Sequence, residues 1–429
     1  MAAHAAGINT QESFTCKKKI IALALMSAFV APAAFADTDK DELEKLRVLV
    51  QELDQKIRAL EHKLEQKSAA VTPARASTAA KTPPSVATTT DVTLYGRVNM
   101  DFESVKNDRV PAVTTANSAN RVQSNASRIG VKGSKALGGD LSAIWQLEVQ
   151  IDPANGGGTP FNGTRNSNIG LKSNFGTVFA GNWDTPYKVA HNKIELFDNA
   201  AIFSATNLIG RSGANNAGNT AVTAVNNNTR QSSVLQYWTP NLNGFQGKIA
   251  FSPDSGQTTT TNKTKLSLSG TYENDMLYGA LAYESRPDQT TASMTDNATR
   301  LVGAYKFDDG LVGLAYEHLS VGTAVATSES QGNWELAGQY KFGSSNLGAF
   351  YVRNGNLGAR PNTGADMYTL RYGYNFAKYI ELYGAYTRLG NDASANYSTL
   401  TATAIGTVGA ATTNGSTQTG LGMGMIYSF

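Results

Sequence analysis

The sequence predicts an all-β chain, a 16-stranded antiparallel transmembrane β-barrel, preceded by a short α-helical coiled coil. Three observations predict it. Apolar and polar residues alternate with period two in run after run of residues 91–429. The connections between those runs alternate strictly between short and long. The composition is low in charge and rich in glycine, with 17% charged residues and 41 Gly in 429, whereas charged residues make up about a quarter of a soluble protein. The formal charge of +3 argues against a nucleic-acid partner.

Residues 1–36 have the layout of a secretory signal peptide. Lys17, Lys18 and Lys19 precede an apolar run from Ile20 to Val30, and Ala34-Phe35-Ala36 supplies a small-residue cleavage site before Asp37. The run is too short for a helical membrane anchor, which needs roughly 20 residues. The lone Cys16 lies in this segment. The mature chain then carries no thiol, which excludes disulfides, cysteine-ligated zinc and thiol catalysis.

Over 37–67 apolar residues recur with spacing 3, 4, 3, 4. Leu43, Val50, Ile57 and Leu64 form one seam position, and Leu46, Leu53 and Leu60 the other, which is the a/d pattern of a coiled coil. Glu42 with Arg47 and Lys56 with Glu61 make opposite-charge pairs between parallel copies, and Leu49 widens the stripe toward more than two strands. So short a coil is marginal alone. Residues 68–90 switch to Ala, Thr, Ser and Pro and read as a flexible linker.

The barrel occupies 91–429. Its opening strand sets Val92, Leu94, Gly96, Val98, Met100 and Phe102 on one face and Thr93, Tyr95, Arg97, Asn99 and Asp101 on the other. Short connections fall near 135–140, 173–176, 239–244, 273–276, 307–310, 342–346 and 375–379. Long ones fall near 103–125, 153–163, 184–231, 253–263, 286–298, 320–331, 354–366 and 389–417. Seven plus eight connections join sixteen strands. Even strand numbers, short periplasmic turns and long external loops characterise bacterial outer-membrane barrels, and closure removes the unpaired edges that lipid forbids. Tyr305/Phe307, Tyr340/Phe342, Tyr374/Phe376 and Tyr427/Phe429 near strand ends predict an interfacial aromatic girdle.

Several motifs in order resemble the general trimeric porins of Gram-negative bacteria, beta-proteobacterial in type. They are Val92-Thr93-Leu94-Tyr95-Gly96-Arg97, then Ser127-Arg128-Ile129-Gly130-Val131-Lys132-Gly133-Ser134 with Leu137-Gly138-Gly139-Asp140-Leu141, then Asn168-Ile169-Gly170-Leu171-Lys172 and Phe175-Gly176-Thr177-Val178. Gln236-Tyr237-Trp238-Thr239-Pro240-Asn241 with Gly244-Phe245, and the terminal Phe429, complete the resemblance. The coiled coil lies outside the usual pattern.

The resemblance implies an outer-membrane, water-filled channel for passive diffusion of small hydrophilic solutes and ions, and the basic cluster Arg97, Arg128, Lys132 and Lys172 on the polar strand faces adds an expected mild preference for anions. The alternatives are a substrate-selective outer-membrane channel or a structural or adhesive barrel. It implies that the long segment 184–231 folds into the lumen. Glu195 and Asp198 then stand on the loop side of the constriction, and Arg97, Arg128, Lys132 and Lys172 on the wall side. The segment Ile194-Glu195-Leu196-Phe197-Asp198-Asn199 matches the family's lead-in only in part. It also implies a homotrimer in outer-membrane lipid, with the coil in the periplasm and cell-wall contact through it as a further expectation. The barrel carries 25 basic and 24 acidic residues, so net charge alone does not set selectivity.

No enzyme and no cofactor are expected. Of the mature histidines, His62, His191 and His318, only His318-Leu319-Ser320 superficially pairs a base with a nucleophile. No third group is in place to orient it, and no cluster has metal-ligand spacing or a phosphate-binding glycine loop.

Overall fold

The structure is a computed structural model that describes residue 55 and residues 90–108, 117–154, 161–197, 202–212, 225–322, 327–399 and 414–429. The expected signal peptide (1–36), coiled coil (37–67) and linker (68–90) thus lie outside the described residues, save Gln55 and Thr90.

Eighteen strand segments form one sheet among the described residues. They are β1 (Thr90–Asn107), β2 (Ser118–Ser124), β3 (Arg128–Gly138), β4 (Leu141–Ile151), β5 (Phe161–Thr164), β6 (Ser167–Ser173), β7 (Gly176–Asp184), β8 (Arg230–Trp238) and β9 (Phe245–Ser252). There follow β10 (Lys265–Glu273), β11 (Leu277–Pro287), β12 (Thr295–Phe307), β13 (Gly310–Gly322), β14 (Ser328–Phe342), β15 (Ser345–Asn354), β16 (Ala365–Ala377), β17 (Ile380–Asn391) and β18 (Thr417–Ser428). Two of the sixteen expected strands are simply broken in two. Both β2 and β3 pair with β1, and both β5 and β6 pair with β4.

At the first break Ala126 adopts a left-handed φ of 54°. Ser127 Oγ there accepts from Asn99 N at 3.0 Å and donates to Asn99 O at 3.1 Å, replacing the missing ladder bonds. All pairings are antiparallel, and β1 closes on β18 from Arg97↔Ser428 to Asn107↔Gln418. Phe429 completes the seam through Gly96 N→Phe429 O at 2.9 Å and Phe429 N→Gly96 O at 3.1 Å.

The apolar face points outward, as a barrel in lipid requires. Val92, Leu94, Phe102, Leu281, Leu301, Leu336 and Leu370 are all exposed. Rings form a chain around one rim, Tyr305–Phe307–Tyr340–Phe342–Tyr372, with successive centroids 6.2–6.5 Å apart. A second set, Trp334–Tyr351 at 5.2 Å and Tyr368–Tyr386 at 6.1 Å, marks the other rim. Along β14 the two levels, Phe342 and Trp334, are separated by about 27 Å of strand, of the order of an outer-membrane apolar band before tilt.

Several strands run further than expected. The first long connection was expected from 103, yet β1 continues to Asn107. Its inward residues Glu103, Val105 and Asn107 are buried while outward Ser104 and Lys106 are exposed. Above the lipid band the outer face turns polar, so the apolar alternation ends before the strand does.

Candidate pore constriction

The third long connection joins β7 to β8 and is described at 185–197, 202–212 and 225–229. It starts with a four-residue helix, α1 (Pro186–Val189), capped by Thr185, whose side chain accepts from Lys188 N at 3.2 Å. Pro186 at the first turn suits a helix start, since its missing N–H has no intrahelical partner there.

From α1 the segment runs along the inner wall and is fastened to it. Glu317 on β13 is the main anchor. It accepts from Tyr187 Oη at 2.9 Å, Arg300 Nη2 at 2.8 Å, Asn333 Nδ2 at 2.8 Å and the backbone N–H of Gly210. Arg300 also lies 4.2 Å from the Tyr187 ring centroid and is fully buried. His191 Nε2 meets Glu335 Oε2 at 2.6 Å, Tyr278 Oη donates to Ala190 O at 2.9 Å, and Asn354 Nδ2 donates to Leu208 O at 3.1 Å.

Missing side chains on the wall provide the seats. A Cβ at Gly313 of β13 would collide with Ile194, and one at Gly422 of β18 would lie 2.7 Å from the Phe203 ring. The loop therefore follows the wall from β10 to β18. Its Phe197 lies against Phe350, with centroids 5.9 Å apart, and 5.8 Å from the Arg371 guanidinium.

This packing sorts the charges. Under the loop, Glu284, Glu317 and Glu335 are fully buried, with Arg286 on Glu284 at 2.7 Å and Arg300 on Glu317. A second charged group lies where the wall of β3–β8 meets the start of the loop, with Lys188 supplied by α1 and side chains that keep 8–20% exposure. There Arg128 and Arg165 share Glu148 at 3.9 and 2.7 Å, while Lys188 and Arg230 share Asp184 at 2.8 and 3.5 Å. Four cations thus meet two carboxylates, a local excess of two positive charges. Asn166 ties the two groups together, donating to Asp184 Oδ2 at 2.9 Å and accepting from Arg230 Nε.

Register places the wall residues named from sequence on the lumen face. Arg97 pairs with Arg128, Thr93 with Lys132, and Lys172 with Ser142 and Thr177. They differ in depth. Arg97 lines a small recess with Leu196, Phe197 and Tyr383 beside the loop. Arg128 belongs to the Glu148 group. Lys132 and Lys172 are exposed further down, Lys172 beside the turn at 174–175.

On the loop side, the Glu195 carboxylate turns back into its own loop. It accepts from Phe197 N at 2.8 Å and Ser204 Oγ at 3.0 Å. Burial pushes its carboxyl up to about 7, against the opposing pull of His191 and with Glu335 adding to the rise. Asp198 lies outside the described residues. Sequence reasoning did not place Arg165 and Arg230 on the wall. Arg165 sits in the break between β5 and β6, and Arg230 is the first residue of β8, inside the stretch 184–231 that the sequence assigns to a loop, where alternation gives no parity.

Comparison with known proteins agrees with this architecture. The family model described as Gram-negative porin matches residues 68–394. The outer membrane porin protein 32 of Delftia acidovorans is 28% identical over 352 residues, covering 79% of this chain and 94% of that protein. The major outer membrane protein P.IB of Neisseria lactamica is 26% identical over 272 residues, covering 60% and 75% respectively. Among solved structures, the anion-selective porin from Comamonas acidovorans superposes with a TM-score of 0.65 at 22% identity, covering 80% of this chain and all of that one. OmpT of Vibrio cholerae superposes with a TM-score of 0.55 at 16% identity, covering 79% and 98%.

Proposed function

This chain belongs to the Gram-negative porin family, and from that premise we propose that its channel favours anions mildly and works as a homotrimer. The barrel is an outer-membrane channel through which small hydrophilic solutes and ions diffuse. Its relatives are channels rather than enzymes.

One observation carries the selectivity. Whole-barrel charge is balanced, but the loop covers three carboxylates, Glu284, Glu317 and Glu335, with only two guanidiniums, Arg286 and Arg300, while Arg128, Arg165, Arg230 and the loop's Lys188 keep part of their surface around only two carboxylates. A passing ion therefore meets a surface more positive than the composition suggests, and such a surface raises local anion concentration. Arg97 and Arg128 form the wall side of this constriction, with Lys132 and Lys172 continuing the basic track below. For the loop side we propose Glu195, whose carboxylate is held by Phe197 N and Ser204 Oγ, and Asp198, which lies outside the described residues. The name of the Comamonas structure, an anion-selective porin, supports the same sign.

Planar-bilayer recording tests this. Ohmic steps in plain salt with a reversal potential displaced toward anions are expected, the displacement shrinking as salt shortens the Debye length below about 8 Å. A cation-displaced potential would refute the sign. Block by one solute at low concentration would favour a substrate-selective channel, and silence a structural barrel. The trimer rests on the family resemblance and on the seam pattern over 37–67. Cross-linking in mild detergent should trap three copies, and deletion of 37–67 separates the contribution of the coil from that of the barrel.

A further inference from the structure

Three aromatic side chains stand on the lumen face where a water-filled pore would ordinarily be polar. Phe179 and Trp183 of β7 and Trp238 of β8 pack mutually edge to face. Their centroids are 5.1, 5.1 and 6.1 Å apart and their interplanar angles 64–87°. Register fixes their orientation, since Phe179 pairs with Gly170 and Gln236, and Trp238 with Thr177, all on the inward parity shared with Lys172. Phe179 is buried, but Trp183 and Trp238 are half-exposed. Leaving such rings toward water is unfavourable unless something else covers them.

Beside the rings lies a cavity of about 320 Å³, at the lower end of the range of small-molecule sites. Its polar lining includes Lys132, Gln146, Asn168, Thr93 and Asp91. Lys248 covers one face of Trp238, with Nζ 4.6 Å from the centroid. Lys132 is exposed, with Nζ 5.2 Å from the Tyr95 centroid. Aromatic surface on one side and a lysine with amide donors on the other define a ligand with the same two parts.

We infer that this cavity is a transit subsite for small aromatic monocarboxylates. The ring packs against Trp183 and the free face of Trp238, with Phe179 buttressing both, where edge-to-face and offset contacts are favourable. The carboxylate reaches the Lys132 ammonium and the Gln146 and Asn168 amides, in charge-assisted hydrogen bonds. With Lys132 and Asp91 as its charged lining residues, the cavity accepts one negative charge more readily than two, so monoanions are preferred to dianions. The basic wall above raises the concentration of any such anion before it arrives. The subsite lies in the periplasmic half of the lumen, since Trp238 and Lys172 both adjoin short turns. The inference rests on the channel reading.

The test uses the full chain in planar bilayers in potassium chloride, with benzoate as probe and acetate, cyclohexanecarboxylate, phthalate and maltose as comparisons. Benzoate should reduce the chloride current at a concentration well below those needed for the other four. Trp183→Leu should raise its half-blocking concentration about tenfold, equivalent to ~1.4 kcal/mol. Lys132→Gln, at an exposed position, should raise it similarly and keeps the test decisive if the tryptophan variant does not assemble. Equal potency of benzoate and cyclohexanecarboxylate would overturn the aromatic assignment. Block by maltose that is sensitive to Trp183→Leu would reassign the cavity to sugars. Ohmic steps with no benzoate effect would refute the subsite alone, whereas absence of steps in plain salt would refute the channel itself.

Discussion

The fastening of the inner loop gives a quantitative expectation. Glu317 and Arg300 are both fully buried and joined at 2.8 Å. Replacing Glu317 with Gln keeps the shape and an acceptor for Gly210 and Asn333, but it leaves the guanidinium without its counter-charge. Breaking one partner of a buried pair costs about 3–5 kcal/mol, so the ratio of displaced to seated loop should rise by roughly two to three and a half powers of ten. Arg300→Met should cost less, because Glu317 retains three donors, from Tyr187, Asn333 and Gly210. The double variant Arg300→Met/Glu317→Gln removes both charges and should recover most of the loss, since replacing a whole buried pair is often neutral. Single-channel recordings read this as rapid closures and open-channel noise, and limited proteolysis reads it as cleavage within 185–229. Noise and cleavage in Glu317→Gln indistinguishable from the native protein would refute the anchoring argument. So would a double variant as disturbed as the sum of the two singles, because it would show no coupling between the charges.

Other expectations concern charge, pH and seating. Arg97→Gln/Arg128→Gln should move the reversal potential toward cations, and Glu195→Gln/Asp198→Asn toward anions; no movement in either would place the constriction elsewhere. The raised Glu195 carboxyl binds its proton more tightly in the folded loop than its ordinary value of 4.5 allows. The seated loop is therefore most stable below that value and loosens as pH rises through about 7. Channel noise should increase over that window, and Glu195→Gln should flatten the dependence. Gly422→Leu should push Phe203 off its seat and change single-channel conductance, while the heat resistance of the barrel stays near native; an unchanged conductance would show that the loop does not need that seat.

The parts of this architecture that depend on a local repeat were legible in the sequence. The alternation of Val92 to Phe102 assigned both faces of β1, and the rhythm of turns assigned sixteen strands although two are broken. Parity also put Arg97, Arg128, Lys132 and Lys172 on one face. What stayed hidden depends on contacts between distant segments. The buried state of Glu284, Glu317 and Glu335 follows from a loop that starts a hundred or more positions earlier. Strand alternation alone makes these carboxylates look like ordinary lumen charges. The direction of the Glu195 carboxylate was hidden in the same way, because Ser204, nine residues away, donates to it from within the loop. Arg165 and Arg230 sit where the alternation stops, so no period could assign their side.

The seam between β1 and β18 also constrains when the barrel can exist. Arg97 needs Ser428, and Gly96 needs the final residue, so the first strand made waits for the last. Until then every other strand can pair with its neighbour in sequence, yet two edges remain open, and an open edge is intolerable in lipid and adhesive in water. Contacts this far apart in sequence also make closure slow. Without β18, both β1 and β17 would keep an open edge, so the sheet could not close into a smaller pore by dropping that strand.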